Sequence, residues 1–166
     1  EEALKANPDA KLLYTIPSFQ NPTGITTSLE KRKKVYELCC KYDIAILEDN
    51  PYGELRFAGE NVPTIKSMDT EGRVIYAGSF SKVMAPALFN KSLTGPLTVA
   101  KQCTDVHSTV LFQYICNEYI NNYDFDKHLE DSRKVYEHKC NLMMECMKKE
   151  FHPSVTFGHP EGGLFV

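Results

Sequence analysis

The chain has 166 residues, of which 42% are hydrophobic and 25% charged, a composition typical of a globular protein with one core of ordinary size. The formal net charge is −3, and the sequence contains neither a basic block nor an apolar run of about 18 residues, which argues against nucleic acid and membrane partners. Six cysteines without a C-x-x-C pair predict reduced thiols in a cytoplasmic protein rather than a disulfide framework or a zinc site.

The first half of the chain predicts an α/β fold. Three short apolar segments predict strands: 11–16, 44–47 and 74–77. A helix is predicted over 28–42, with Ser28 as its N-cap and the basic run 31–34 facing solvent. The unbroken apolar run of the second strand is typical of a parallel strand buried on both faces, so we expect a mainly parallel sheet.

The second half is predicted to be helical, over about 98–122 and about 125–151. The second helix has an apolar face, formed by Leu129, Tyr136, Cys140, Met143 and Met147. A short strand at 155–157 and a turn at 161–163 are expected to follow.

Polar side chains follow each predicted strand at its carboxyl end, the edge at which parallel sheets bind ligands. They are Asn21, Asp49, Tyr52, Ser79, Ser81 and Lys82. Individually, they are explained equally well as turn residues and a surface lysine. Their convergence on one edge predicts a ligand site, whereas Arg56 is expected to be a surface residue.

Three motifs carry a resemblance to a known family: P-S-F-Q-N-P-T-G at 17–24, E-D-N-P-Y-G-E-L-R-F at 48–57 and G-S-F-S-K at 78–82. With K-Q-C-T-D-V-H-S at 101–108 and H-P-E-G-G-L-F-V at 159–166, they resemble the class I/II, fold-type-I aminotransferases, which depend on pyridoxal 5'-phosphate. The similarity is greatest to the subgroup of 2-aminoadipate and kynurenine aminotransferases. It implies that 1–124 is part of the large cofactor-binding domain and that 125–166 is an interdomain helix with the start of a small domain.

The resemblance also implies a role for each candidate residue. Lys82 would bind the cofactor covalently and later move the substrate's proton, and Asp49 would hold the proton on the pyridine nitrogen. Asn21 and Tyr52 would donate hydrogen bonds to the phenolate oxygen of the cofactor. The hydroxyls of Ser79 and Ser81 would bind its phosphate.

The sequence departs from the family pattern in two respects. The family has a phosphate-binding arginine shortly after the position of Leu88, and this sequence has the irregular tract 89–96 instead, which predicts weaker cofactor binding. The sequence also starts without Met, stops within an apolar run and is less than half the family's length. We therefore expect a fragment of a longer enzyme that is inactive alone.

The implied function is transfer of an amino group between an L-amino acid, of the 2-aminoadipate or aromatic type, and a 2-oxo acid, by a cytoplasmic homodimer. Two alternatives remain open: another pyridoxal-phosphate-dependent lyase on the same fold, and the cofactor-sensing domain of a transcriptional regulator. The sequence D-N-P-Y-G at 49–53 favours an enzyme over a regulator.

Overall fold

The structure is a computed structural model that describes residues 1–84 and 110–166. Four expectations lie wholly or partly outside these residues: the missing arginine after Leu88, the tract 89–96, the motif 101–108 and the start of the helix predicted from about 98.

In the part of the chain that the structure describes, the centre of the fold is a sheet of three parallel strands in the order β1-β2-β3. The strands are β1 (Leu12–Thr15), β2 (Ala45–Asn50) and β3 (Val74–Gly78). All three predicted strands are therefore present and parallel, and they pair in chain order. The α/β class predicted from the sequence is confirmed.

Among residues 1–84 and 110–166, four α-helices accompany the sheet: α1 (Glu2–Ala6), α2 (Leu29–Lys41), α3 (Val110–Asn122) and α4 (Phe125–Glu150). Two 3₁₀ turns occur at Gly53–Leu55 and Lys66–Met68. Ser28 caps α2 as predicted, since its hydroxyl accepts a hydrogen bond from the backbone N–H of Lys31 at 3.4 Å. No helix among the described residues combines the length and the apolar character that a membrane span requires.

The core lies between α2 and one face of the sheet. Strand alternation directs Ile46 and Val74 to this face, where they pack with Cys39 of α2 and with Ile44 and Ile65. Along this face, β2 also carries a fully buried carboxylate, that of Glu48. It accepts hydrogen bonds from the backbone N–H groups of Ile65 and Lys66, both at 2.8 Å, and so ties β2 to the start of the second 3₁₀ turn.

The basic run 31–34 does not form a uniformly solvated face, because Arg32 is fully buried. Its guanidinium donates to the carbonyl oxygens of Pro17, Thr27, Val62 and Pro63 and to the hydroxyl of Ser18. The prediction was wrong at Arg32 because the carbonyl groups of two distant loops converge on it, and charge pattern alone does not reveal them.

Helix α4 packs through Leu129 against Leu55 and Val83. Its buried methionine is Met144, whereas Met143, which was predicted to face the core, is 53% exposed. The strand predicted at 155–157 is absent from the structure. Instead, the backbone N–H of Val155 closes a turn onto the carbonyl of His152 at 2.9 Å.

Candidate active site

The three predicted site segments leave the sheet at one edge. Because β1, β2 and β3 are adjacent and parallel, the loop with Asn21, the end of β2 with Asp49 and the turn with Lys82 all begin at the carboxyl ends of the strands. The register places Asp49 beside Ala77 of β3. The residue next to Asp49 on β3 therefore has a small side chain.

Asp49 is half-buried and has one oxygen engaged. Its Oδ2 accepts a hydrogen bond from the hydroxyl of Tyr14 at 2.7 Å. This hydrogen bond, together with partial burial and the negative charge of Asp49, raises the pKa of Tyr14 to about 12. Within residues 1–84 and 110–166, Oδ1 makes no hydrogen bond, so this oxygen can accept one from a ligand.

The turn after β3 carries three of the candidate residues. The hydroxyl of Ser79 donates to that of Ser81 at 2.7 Å and accepts from the backbone N–H of Ser81 at 3.0 Å, so both hydroxyls lie at one point of the turn. Lys82 is exposed, and its neighbour Val83 is buried. The buried valine anchors the turn while the lysine side chain stays accessible.

Helix α4 also holds this turn through His128. The ring Nε2 lies 2.8 Å from the carbonyl oxygen of Val83 and donates to it, because a carbonyl oxygen can only accept. Phe125, one turn earlier on the same helix, packs its ring against that of Phe80, with 6.0 Å between centroids. The residues on either side of Ser81 and Lys82 are therefore attached to α4.

Tyr52 and Asn21 differ in exposure. Tyr52 is 4% exposed and has its ring edge-on to that of Phe165, with 5.5 Å between centroids. Asn21 is exposed, in a loop held by the hydrogen bond from the N–H of Gly24 to the carbonyl of Gln20 at 2.7 Å. The candidate tyrosine is thus fixed by packing, whereas the candidate asparagine is open to solvent.

The segment 161–165 contacts both the loop with Asn21 and the loop with Tyr52. Arg56, expected at the surface, has a side chain only 9% exposed, with Nη1 2.7 Å from Oε2 of Glu161. Its guanidinium lies over the ring of Phe19, 4.7 Å from the centroid. The backbone N–H of Gly163 donates to the carbonyl of Leu55 at 3.1 Å. The surface prediction for Arg56 was wrong because its partner is more than 100 residues away in the sequence.

The whole chain, residues 1–166, matches the family described as aminotransferase class I and II. The chain belongs to this family. It is 39% identical over 172 residues to aromatic-amino-acid aminotransferase 1 of Thermococcus litoralis, an alignment that covers 100% of this chain and 41% of that protein.

Two solved aminotransferase structures share the fold. The kynurenine aminotransferase of Pyrococcus horikoshii, in complex with PMP, KYN as substrates and KYA as products, is 37% identical, with a TM-score of 0.86 over 98% of this chain and 42% of that chain. The α-aminoadipate aminotransferase LysN of Thermus thermophilus, complexed with N-(5'-phosphopyridoxyl)-L-leucine, is 33% identical, with a TM-score of 0.83 over 98% of this chain and 44% of that chain. This chain therefore spans less than half the length of these relatives.

The structure contains three residues next to the candidate site that the sequence did not identify as part of it: Tyr14, Arg56 and His128. Strand alternation would have placed Tyr14 and Asp49 on one face once the register of β1 and β2 was known. Arg56 and His128 act through contacts with distant segments, for which the sequence contains no local pattern.

Proposed function

We propose that the chain is part of a longer pyridoxal-phosphate-dependent aminotransferase that transfers an amino group between an L-amino acid and a 2-oxo acid. The observation that carries the proposal is the meeting of three parallel strand ends, which bear Asn21, Asp49 and Lys82, in a chain that belongs to the aminotransferase family. The proposal includes two further features that the family resemblance suggests: a homodimer in the cytoplasm, and a boundary near residue 124 between large and small domains.

The donor set of the site fits pyridoxal 5'-phosphate. The oxygen of Asp49 that makes no hydrogen bond within residues 1–84 and 110–166 suits the protonated nitrogen of a pyridine ring, and its neighbour Ala77 has a small side chain. The adjacent hydroxyls of Ser79 and Ser81 suit phosphate oxygens. When bound, the cofactor supplies a positively charged ring that stabilises negative charge at the substrate Cα.

The roles of the residues follow from their chemistry and exposure. The amine of Lys82, which is exposed, would hold the cofactor and, once the substrate has released it, would act as the base for the proton on Cα of the substrate. Asp49 keeps the ring nitrogen protonated. Tyr52, held by Phe165, and Asn21 donate to the ring oxygen, with Tyr52 as the rigid donor of the pair.

The proposed substrate is 2-aminoadipate or an aromatic amino acid, with 2-oxoglutarate as the amino acceptor. Support comes from the relatives, which are named for aromatic amino acids, kynurenine and α-aminoadipate. The test is an assay of the longer enzyme with these amino acids, in which the 2-oxo product and glutamate are both quantified. Formation of both in equal amounts supports transamination, whereas a product that has lost carboxylate or a β-substituent would contradict it.

The 166-residue chain alone is proposed to be inactive. Because it spans less than half of its relatives, it would lack the parts of the site that the remainder supplies. The longer enzyme and the chain alone should be assayed side by side with the same amino acids. Turnover by the chain alone at a rate similar to that of the longer enzyme would overturn this part of the proposal.

A further inference from the structure

One hydrogen bond at the site has no role in the assignments above: the bond from Tyr14 to Asp49. The two residues lie on neighbouring strands, and Tyr14 is in register with Leu47, two residues before Asp49. Side chains two residues apart on a strand point to the same face, so the phenol of Tyr14 extends along this face to Oδ2 of Asp49 at 2.7 Å.

The position of Tyr14 does not suggest a role in the core. Its side chain is 55% exposed, and it lies on the face of the sheet opposite Ile46 and Val74. It belongs to neither of the two apolar clusters that the described residues form. The specific contact of Tyr14 is therefore the hydrogen bond from its hydroxyl to Asp49, and its ring does not pack in the core.

A phenol that donates to a carboxylate at this distance forms a charge-assisted hydrogen bond. The raised pKa of Tyr14, about 12, is consistent with a permanent donor at neutral pH. With Oδ2 engaged, rotation of the carboxylate about its Cβ–Cγ bond is restricted. The other oxygen, Oδ1, makes no hydrogen bond within residues 1–84 and 110–166, so it can accept one from a ligand in that fixed orientation.

We infer that Tyr14 is a positioning residue that holds the carboxylate of Asp49 in the orientation required by the ring nitrogen of the cofactor. The inference deepens the proposed function and rests on it, because it requires Asp49 to be the ligand of that nitrogen. Tyr14 itself does not contact the cofactor. Its removal should weaken cofactor binding and slow proton removal from the substrate, while the KM for the amino acid changes little.

The experiment is a double-mutant cycle on the longer enzyme, stripped of cofactor and titrated with pyridoxal 5'-phosphate. The variants are Tyr14→Phe, Asp49→Ala and the double variant, and the dissociation constant of the cofactor is read from absorbance and fluorescence, independently of turnover. Tyr14→Phe removes one oxygen atom from a half-exposed side chain and keeps the ring, so the thermal midpoint should change little. The matched control is Tyr123→Phe, since Tyr123 is 65% exposed and its ring stacks on that of Tyr119, a contact that Phe retains.

We expect Tyr14→Phe to weaken cofactor binding about tenfold, the effect of losing one charge-assisted hydrogen bond, and Tyr123→Phe to change it less than about twofold. In the Asp49→Ala background, Tyr14→Phe should have no further effect, because its partner is gone. An equal effect of Tyr14→Phe in both backgrounds, or none in either, would overturn the inference and leave the proposed function standing. Unchanged cofactor binding by Asp49→Ala would overturn the proposed role of Asp49, and this inference with it.

Discussion

Individual buried polar side chains hold the loops that surround the proposed site. Arg32 connects α2 to the loop that carries Asn21, because it donates to both Pro17 and Ser18 just before that loop. Asp69 has the same kind of role before β3, where its carboxylate accepts hydrogen bonds from the backbone N–H groups of Arg73 and Val74. Both residues lie outside the site, and both determine where its segments begin.

Replacement of Arg32 by Met should destabilise the protein by about 3 kcal/mol or more, because several buried oxygen atoms lose their donor together. The free energy of unfolding in urea measures the effect. Lys33→Met is the matched control, since Lys33 is the exposed neighbour on the same helix, and it should change stability by less than about 0.5 kcal/mol. Equal effects of the two substitutions would show that the hydrogen bonds of Arg32 do not stabilise the fold.

The carboxylate of Asp69 should make the free energy of unfolding depend on pH. Burial of Asp69 acts to raise its pKa, but hydrogen bonds from the ammonium of Lys66 and from the N–H groups of Val74 and Arg73 outweigh it and hold the pKa well below its usual range. Since the folded-state pKa lies below the unfolded-state value of about 4, ionised Asp69 stabilises the fold above that pH, and this contribution is lost as the pH falls further.

The measurement is the urea midpoint of the wild type and of Asp69→Asn between about pH 7 and about pH 3. The difference between the two proteins should shrink toward the acid end. Asp9→Asn, a change at an exposed aspartate, should follow the wild type throughout. A constant difference between wild type and Asp69→Asn across this range would contradict the account.

At the scale of elements, helix α4 fixes the turns on which two candidate residues lie. Leu129 packs on Val83, which follows Lys82, and on Leu55, in the 3₁₀ turn after Tyr52. Arg133 adds a hydrogen bond from its Nε to the carbonyl of Glu54 at 2.7 Å. The helix that begins the proposed small domain therefore supports two loops of the proposed cofactor site.

Leu129→Ala should destabilise the protein by about 2–5 kcal/mol, because the side chain is 5% exposed and its loss leaves a cavity under both turns. It should also weaken cofactor binding, which a titration with pyridoxal phosphate measures. Leu142→Ala on the same helix is the control, since Leu142 is 54% exposed. If Leu129→Ala lowered stability without any effect on cofactor binding, the two turns would not depend on α4 for their position.

Gly162→Ala should loosen the segment that joins the Asn21 and Tyr52 loops. A Cβ at Gly162 would lie 2.5 Å from Cζ of Phe19 and 2.7 Å from the carbonyl oxygen of Leu55, so the segment or the loops must move. A loss of about 1–3 kcal/mol in unfolding free energy is expected. Gly158→Ala, where a Cβ meets no atom within 4 Å, should change stability by less than about 1 kcal/mol, and equal losses would refute the close packing.

The sequence predicted the strands and helices whose positions are determined by a local pattern of apolar residues. The apolar run 44–47 predicted a buried parallel strand, but β2 continues to Asn50 because its polar end still pairs with β3. The local sequence does not indicate that the carboxylate of Glu48 accepts hydrogen bonds from the distant backbone N–H groups of Ile65 and Lys66. The end of the apolar run was therefore taken as the end of the strand. The segment with Val155 was predicted as a strand but forms a turn. Helix α1 was not predicted, because it has only five residues and no N-cap side-chain hydrogen bond.

The edge of the sheet at which the candidate residues lie was predictable for a related reason. Parallel strands in chain order bring their carboxyl ends together, so Asn21, Asp49 and Lys82 follow from strand positions alone. The support around them was not predictable. Tyr14 requires the strand register, and His128 requires the tertiary packing of a helix whose sequence indicates only its apolar face.

At the scale of the whole molecule, the two faces of the sheet differ. One face is covered by α2 and the core, whereas the face with Asp49 also bears Leu12 and Tyr14, which are 52% and 55% exposed. The aminotransferases that share the fold are more than twice as long as this chain. Tyr14 and Asp49 therefore lie on the face that α2 does not cover.

The most direct test is a crystal structure of the longer enzyme with pyridoxal 5'-phosphate. The account predicts continuous density between the cofactor and Nζ of Lys82, Oδ1 of Asp49 within about 3 Å of the pyridine nitrogen, and the amide of Asn21 on the ring oxygen. Attachment of the cofactor to another lysine, or a ring nitrogen with no contact to Asp49, would contradict it.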